Sequence, residues 1–257
     1  MCVRSHQFHC HLLMLSTLLF AFATAQAEEI KVFSVNGVKE VMGKLGADFQ
    51  AATGDQVRIT FGTIGALEEK MHAGDMPDVL VAISPGIAKA EQEGTIIAGS
   101  AIEVGRTGMG LAVKEGATVP DISTLQSFRN ALLKAKSLAF SDPKTGAASG
   151  VAFAKALAQM GIADQVKDKT VLVSNGSVGE LVAQGRVEVG VQQITELLPV
   201  KGIVLVGPLP PELQSVTVYQ AAILRQAAKS HVAATFVHFI TSPEVARRFA
   251  DAGFGHY

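Results

Sequence analysis

The chain has 257 residues, with 22 basic against 23 acidic side chains and a hydrophobic share of 48%. So even a charge balance argues against nucleic acid or an anionic membrane surface as a partner. The apolar content suffices for one large core or two lobes. Both cysteines, Cys2 and Cys10, fall within the first ten residues, so the rest offers no thiol for a disulfide, a metal or nucleophilic chemistry.

The first 27 residues read as a targeting segment: Arg4 supplies positive charge, an apolar run spans 12–23, and Ala25-Gln26-Ala27 is a small-residue cleavage signal. Cys10 precedes the apolar run and is therefore no lipoprotein cysteine. The expected processed chain begins at Glu28, with 21 basic and 23 acidic residues. No later apolar stretch is long enough to span a bilayer, so export without membrane insertion is expected.

In chain order, 30–33 is strand-like and 38–53 carries apolar residues at helical spacing (Val38, Val41, Met42, Leu45, Phe49) before stopping at Gly54. A second strand over 57–61, a glycine loop and a helix over 66–73 follow. A third, fully apolar strand over 79–83 leads to a helix over 85–94. Strand, glycine loop and helix repeated at this spacing predict an α/β fold with a parallel sheet. In such sheets ligands sit beyond the carboxyl ends of the strands.

The segment 105–113 reads as a glycine-broken strand where the chain crosses to a second lobe. There the scheme repeats: a helix over 123–134, a strand over 138–140, a helix over 151–160, a strand over 171–173 and a helix over 178–184. The strand over 187–191 leads into Gln192-Gln193-Ile194-Thr195, and 196–198 starts a short helix stopped by Pro199. A strand over 203–206 follows. The long strand over 216–224 is expected to return to the first lobe, closed by helices over 227–241 and 243–252. The expected lobes are 28–107 plus 216–257, and 108–215.

The loop 141–150 (SDPKTGAASG) is the strongest functional signal. It lies between a strand and a helix N-terminus, whose free N–H groups and dipole favour an anion. Thr145 and Ser149 add hydroxyl donors, and Lys144 is the one formal cation. Asn36, Thr63 and Asn175 stand at comparable strand ends, where capping and ligand binding use the same helix end.

Val32-Phe33-Ser34-Val35-Asn36-Gly37-Val38, Gly62-Thr63-Ile64-Gly65, Pro77-Asp78-Val79 and the terminal Ser-Pro-Glu at 242–244 together resemble the molybdate-binding family of periplasmic solute-binding proteins of type II. The resemblance covers nearly the whole chain past the targeting segment. It implies two α/β lobes, each a mostly parallel sheet flanked by helices, with a cleft between them and a periplasmic location. Three departures stand out: Asn36-Gly37 replaces a binding serine and its neighbour, Thr63-Ile64 replaces paired serines, and Gln192-Gln193-Ile194 stands where a tyrosine often serves. Amides, an apolar side chain and Lys144 suit a flatter, partly carbon ligand better than a tetrahedral oxyanion. The second-lobe runs 141–153 (SDPKTGAASGVAF) and 179–200 (GELVAQGRVEVGVQQITELLPV) are similar to a subgroup of that family generally labelled molybdate-binding, which the aconitate isomerases also resemble.

The resemblance therefore implies a small organic polycarboxylate as ligand and, as the leading expectation, its isomerisation by allylic proton transfer. Delivery of molybdate or a related anion to an ABC permease is the alternative. Expected substrate-binding residues are Asn36, Gly37, Thr63, Ile64, Thr145, Ala148, Ser149, Asn175, Gln192 and Gln193. Lys144 and Tyr219 are the candidate proton carriers, although a solvated lysine and a core tyrosine are the ordinary roles of such residues. No cofactor or metal is expected, the histidines having no metal-site spacing, and the protein is expected to be a monomer. There is no G-x-S-x-G nucleophile elbow. Glu180 and Arg106 read as surface groups.

Overall fold

The computed structural model describes residues 27–255. The expected targeting segment up to Gln26, with Arg4 and both cysteines, lies outside the described residues, as does His256.

Five strands form the first sheet, in the order β2-β1-β3-β10-β4. β1 (Glu29–Val35) runs parallel to β2 (Gln56–Gly62) and β3 (Val79–Ile83). β10 (Thr217–Ile223) lies antiparallel between β3 and β4 (Ile102–Thr107). The second sheet has the order β7-β6-β8-β5-β9. β6 (Leu138–Ser141) is parallel to β7 (Thr170–Val173) and β8 (Val189–Gln193). β5 (Met109–Lys114) lies antiparallel between β8 and β9 (Ile203–Pro208). Each sheet is thus mixed, with the same single reversal in the fourth place.

The chain passes from the first sheet to the second between Thr107 and Met109. The stretch expected as one broken strand is therefore two strands in different sheets. It returns through β10, which rejoins the first sheet. Each sheet has its own core. The first is built around Phe33, Phe49 and Phe236, the second around Phe128, Phe140 and Phe153. Phe49 and Phe236 meet edge to face at 5.2 Å, as do Phe140 and Phe153 at 5.0 Å.

Helices cover both sheets: α1 (Lys39–Thr53), α2 (Ile64–His72) and α3 (Ser84–Gln92) in the first lobe, then α4 (Leu125–Lys134), α5 (Ala148–Gln159), α6 (Ala163–Val166), α7 (Val178–Ala183) and α8 (Ile194–Leu197) in the second. α9 (His231–Ile240) and α10 (Pro243–Asp251) complete the chain. The expected helix from 227 starts only at His231, because the Ser230 side chain accepts the Ala233 N–H and sets the N-cap there. β8 runs two residues further than expected, to Gln193, and α8 begins at once. Among the described residues no helix is long and apolar enough to cross a membrane.

Lys169 shows how one side chain can close a helix. Its ammonium donates to the carbonyls of Leu132 (3.0 Å), Leu133 (2.7 Å) and Ala135 (2.6 Å) at the end of α4. A cation there satisfies carbonyls that have no partner in the helix and opposes the negative end of the dipole. Lys169→Met keeps the apolar stem and is expected to cost about 1–2 kcal/mol, read as a lower midpoint in urea denaturation.

Candidate functional site

The carboxyl ends of β1, β2 and β3 face those of β6, β7 and β8 across a cleft of about 240 Å³. All ten expected binding residues, Asn36, Gly37, Thr63, Ile64, Thr145, Ala148, Ser149, Asn175, Gln192 and Gln193, line it, and so does Tyr219. They arrive there for a common reason. In both lobes a buried strand ends and a helical turn begins within a residue or two, which aims N–H groups into the space between.

On the first-lobe side, the turn Asn36–Val38 follows β1 directly, and Thr63 caps α2 by accepting the Ala66 N–H at 3.3 Å. On the second-lobe side, no side chain caps α5, so the first-turn N–H groups beside Ala148 and Ser149 remain for a guest. The positive dipole ends of α2 and α5 meet at this cleft from opposite lobes. Ser149 donates to Ser141 at 3.5 Å, two buried hydroxyls at the cleft wall. Val35, Phe61, Ile64, Ile83 and Val173 supply apolar surface. Such a lining fits a guest with both anionic groups and carbon.

Gly37 is required by the closeness of the lobes. A Cβ there would fall on the Tyr219 hydroxyl and Gln193 Oε1. Tyr219, on β10 of the first sheet, donates its hydroxyl to Gln193 Oε1. Gln193 Nε2 donates back to Thr217 Oγ1 at 3.0 Å. The Thr195 hydroxyl donates to the Gly37 carbonyl at 2.8 Å. Burial, with the Glu196 charge adding to it, pushes the Tyr219 phenol well above its ordinary range. It stays a neutral donor at physiological pH.

Among the described residues, no lysine, arginine or histidine lines the cleft, and Glu196 is its only carboxyl. This residue escaped the sequence reading. Although Glu196 as a whole is half-buried, its carboxyl is enclosed, and desolvation pushes its pKa up to about 7 against the hydrogen bond from Gln192 Nε2 that opposes the rise. Gln192 is buried, and its Oε1 accepts the Val178 N–H at 3.1 Å, which orients the amide so that its NH₂ meets Glu196. The signal that would have found the pair is the Gln192 to Glu196 spacing of four residues. Gln192 is the strand residue just before the N-cap of α8 and Glu196 lies in the first turn of that helix, so the chain reverses between them and brings the two side chains together.

Lys144 is not brought to the cleft: it is exposed and stands outside the lining. The cause is local. Asp142 accepts the Lys144 N–H at 3.0 Å and the Ser174 hydroxyl at 3.0 Å, while Thr145 Oγ1 donates to the Asp142 carbonyl at 2.8 Å. These bonds wind Pro143–Thr145 into a 3-10 turn that puts Thr145 inward and Lys144 outward. Arg106 pairs with Glu103 at 2.7 Å. Glu180 is exposed on α7 and lines a second cavity that adjoins the cleft.

The model of bacterial extracellular solute-binding proteins matches residues 30–255. An aconitate isomerase of Pseudomonas sp. is 28% identical over 248 residues, 94% of this chain and 92% of the relative. The molybdate-binding protein ModA of Azotobacter vinelandii is 26% identical over 239 residues, 90% of this chain and 91% of the relative. The solved periplasmic molybdate-binding protein of Azotobacter vinelandii superposes with a TM-score of 0.73 at 20% identity, over 88% of this chain and 98% of that one. Two mixed sheets with helices on their faces, a cleft at their strand ends and a family match over nearly all described residues agree: the chain belongs to the bacterial extracellular solute-binding proteins.

Proposed function

We propose that the protein is an exported isomerase that converts trans-aconitate to cis-aconitate, with Glu196 carrying the proton. The observation that carries this reading is an enclosed carboxyl, with a pKa of about 7, in a cleft otherwise lined by neutral donors and apolar surface. An ionised carboxylate in the cleft repels an inorganic dianion. An acid-base catalyst working near neutrality needs such a group. Similarity to aconitate isomerase over most of both chains supports the substrate.

In the proposed reaction the Glu196 carboxylate removes a proton from the substrate methylene. The electron pair left behind is conjugated through the double bond to a carboxylate, whose growing charge faces the N–H groups at the starts of α2 and α5. The Glu196 carboxylic acid then returns a proton to the former vinylic carbon, and the double bond ends one position along. No electron is gained or lost overall. Thr63, Thr145, Ser149 and Asn175 would hold the carboxylates, and Ile64 with Phe61 the carbon chain. Tyr219 would hold Gln193 as a neutral donor.

Delivery of molybdate or a related anion to an ABC permease is the second reading, favoured by the likeness to ModA and the neutral donors. One experiment separates them. Purified protein is incubated with trans-aconitate and the appearance of cis-aconitate is followed by chromatography. Absence of turnover, together with thermal stabilisation by molybdate, would sink the isomerase reading. In either reading the protein acts outside the cytoplasmic membrane after cleavage near Ala27, as a monomer, and the mass of the secreted form tests the cleavage.

A further inference from the structure

The corner that carries Glu196, from the end of β8 into α8, belongs to the second lobe but is tied to the first by three hydrogen bonds. Gln193 accepts from the Tyr219 hydroxyl and donates to Thr217 at 3.0 Å, and Thr195 donates to the Gly37 carbonyl at 2.8 Å. Gln193 and Thr195 are buried, and their first-lobe partners lie on β10 and on the turn after β1. Three bonds of this kind, from Gln193 and Thr195 on the second-lobe side, hold the Glu196 corner against the first lobe.

Behind Glu196 lies a second, more open cavity of about 540 Å³, which shares Asn36, Gly176 and Glu196 with the cleft. The charged and titratable groups that meet Glu196 from the surrounding elements are few. Tyr219 faces it from β10, and Lys39 and Glu40 on α1, Glu180 on α7 and Lys201 line the second cavity with it.

We propose that Gln193 and Thr195 are positioning residues that make the proton carrier a property of the closed molecule: they pin the Glu196 corner to the first lobe, and parting the lobes hands the carboxyl to water. Desolvation, the cause of the high pKa of Glu196, then disappears, and the open protein carries an ordinary carboxylate. The base is matched to neutral pH only around a closed cleft, which also keeps water from the reacting carbons. The proposal rests on the isomerase reading for its kinetic consequence but not for the titration itself.

The test is a titration of the purified protein carrying ¹³C-labelled glutamate, with Glu196→Gln identifying the resonance. The wild-type midpoint is expected near 7. In Thr195→Val, which keeps the shape and removes the donor, it is expected to fall by at least about one pH unit, while Thr195→Ser retains it. The acidic limb of kcat/KM for trans-aconitate should move in parallel, with helix content by circular dichroism unchanged. An unmoved midpoint in folded Thr195→Val overturns the proposal. Should that variant not fold, Gln193→Met is read in the same way, and an unmoved midpoint there overturns it equally. Wild-type protein with a midpoint near 7 and no turnover overturns the isomerase reading and leaves the positioning role standing.

Discussion

Glu196→Gln is expected to lower turnover of trans-aconitate by about 10²–10⁴-fold, the usual worth of a positioned proton carrier, while making the protein more stable. The amide preserves size, so the loss is chemical. In the wild type, kcat/KM should rise about tenfold per pH unit below 7 and level off above it, because the carrier must be ionised to accept the proton. Glu196→Gln removes that limb. The stability effect has the opposite sign. A carboxyl whose pKa goes from the ordinary 4.5 to about 7 on folding binds more protons native than unfolded between those values. Stability conferred by the protonated form is complete below about 4.5 and is lost as pH rises towards 7. Above 7 the buried charge costs roughly 3 kcal/mol, which an amide at 196 does not incur. Thermal unfolding at pH 8 and at pH 4 decides: the variant should melt higher than wild type at pH 8 and close to it at pH 4. A variant that is inactive and also less stable at pH 8 would reduce Glu196 to a structural residue.

That result would also explain why the cleft was easier to read in the sequence than its chemistry. Glycine-bounded loops at strand ends mark positions where backbone meets a guest, and a strand-loop-helix repeat places them together by topology alone. Asn36, Thr63, Thr145 and Asn175 needed nothing more. Glu196 needed the exact end of β8. With the strand expected to end at Val191, Gln192 and Gln193 fell in a loop and Glu196 opened a helix of no consequence. Two more strand residues bury both glutamines and place Glu196 in the first turn of α8. Lys144 failed for the reverse reason. Its proximity in sequence to Thr145 and Ser149 says nothing of direction, which the hydrogen bonds of Asp142 decide. Periodicity reports which elements exist; side-chain direction at their ends depends on single bonds between distant residues.

Gly150→Ala is expected to damage both the fold and the cradle, against the ordinary rule for a glycine in a helix. Alanine in place of a helical glycine normally gains about 1 kcal/mol. At Gly43 in α1, where an added Cβ meets nothing within 4 Å, that gain should be realised. Gly150 lies in the first turn of α5, and its Cβ would collide with the Ser141 carbonyl oxygen, with the carbonyl carbon at 2.9 Å and the Pro143 nitrogen at 3.2 Å. All three are backbone atoms, two at the end of β6 and one in a ring, so no side-chain rotation relieves the contact. Overpacking of this kind costs about 1–3 kcal/mol, which exceeds the propensity gain. The remaining outlet is for the start of α5 to move off β6, and that separates Ser149 from Ser141 and withdraws the N–H groups beside Ala148 from the cleft. Gly43→Ala should therefore raise the melting temperature, by about 2–4 °C per kcal/mol, and leave trans-aconitate binding unchanged. Gly150→Ala should lower it and weaken binding at least about tenfold. If calorimetry finds Gly150→Ala binding as wild type does, the α5 terminus is not part of the anion cradle, and the first lobe must hold the carboxylates alone.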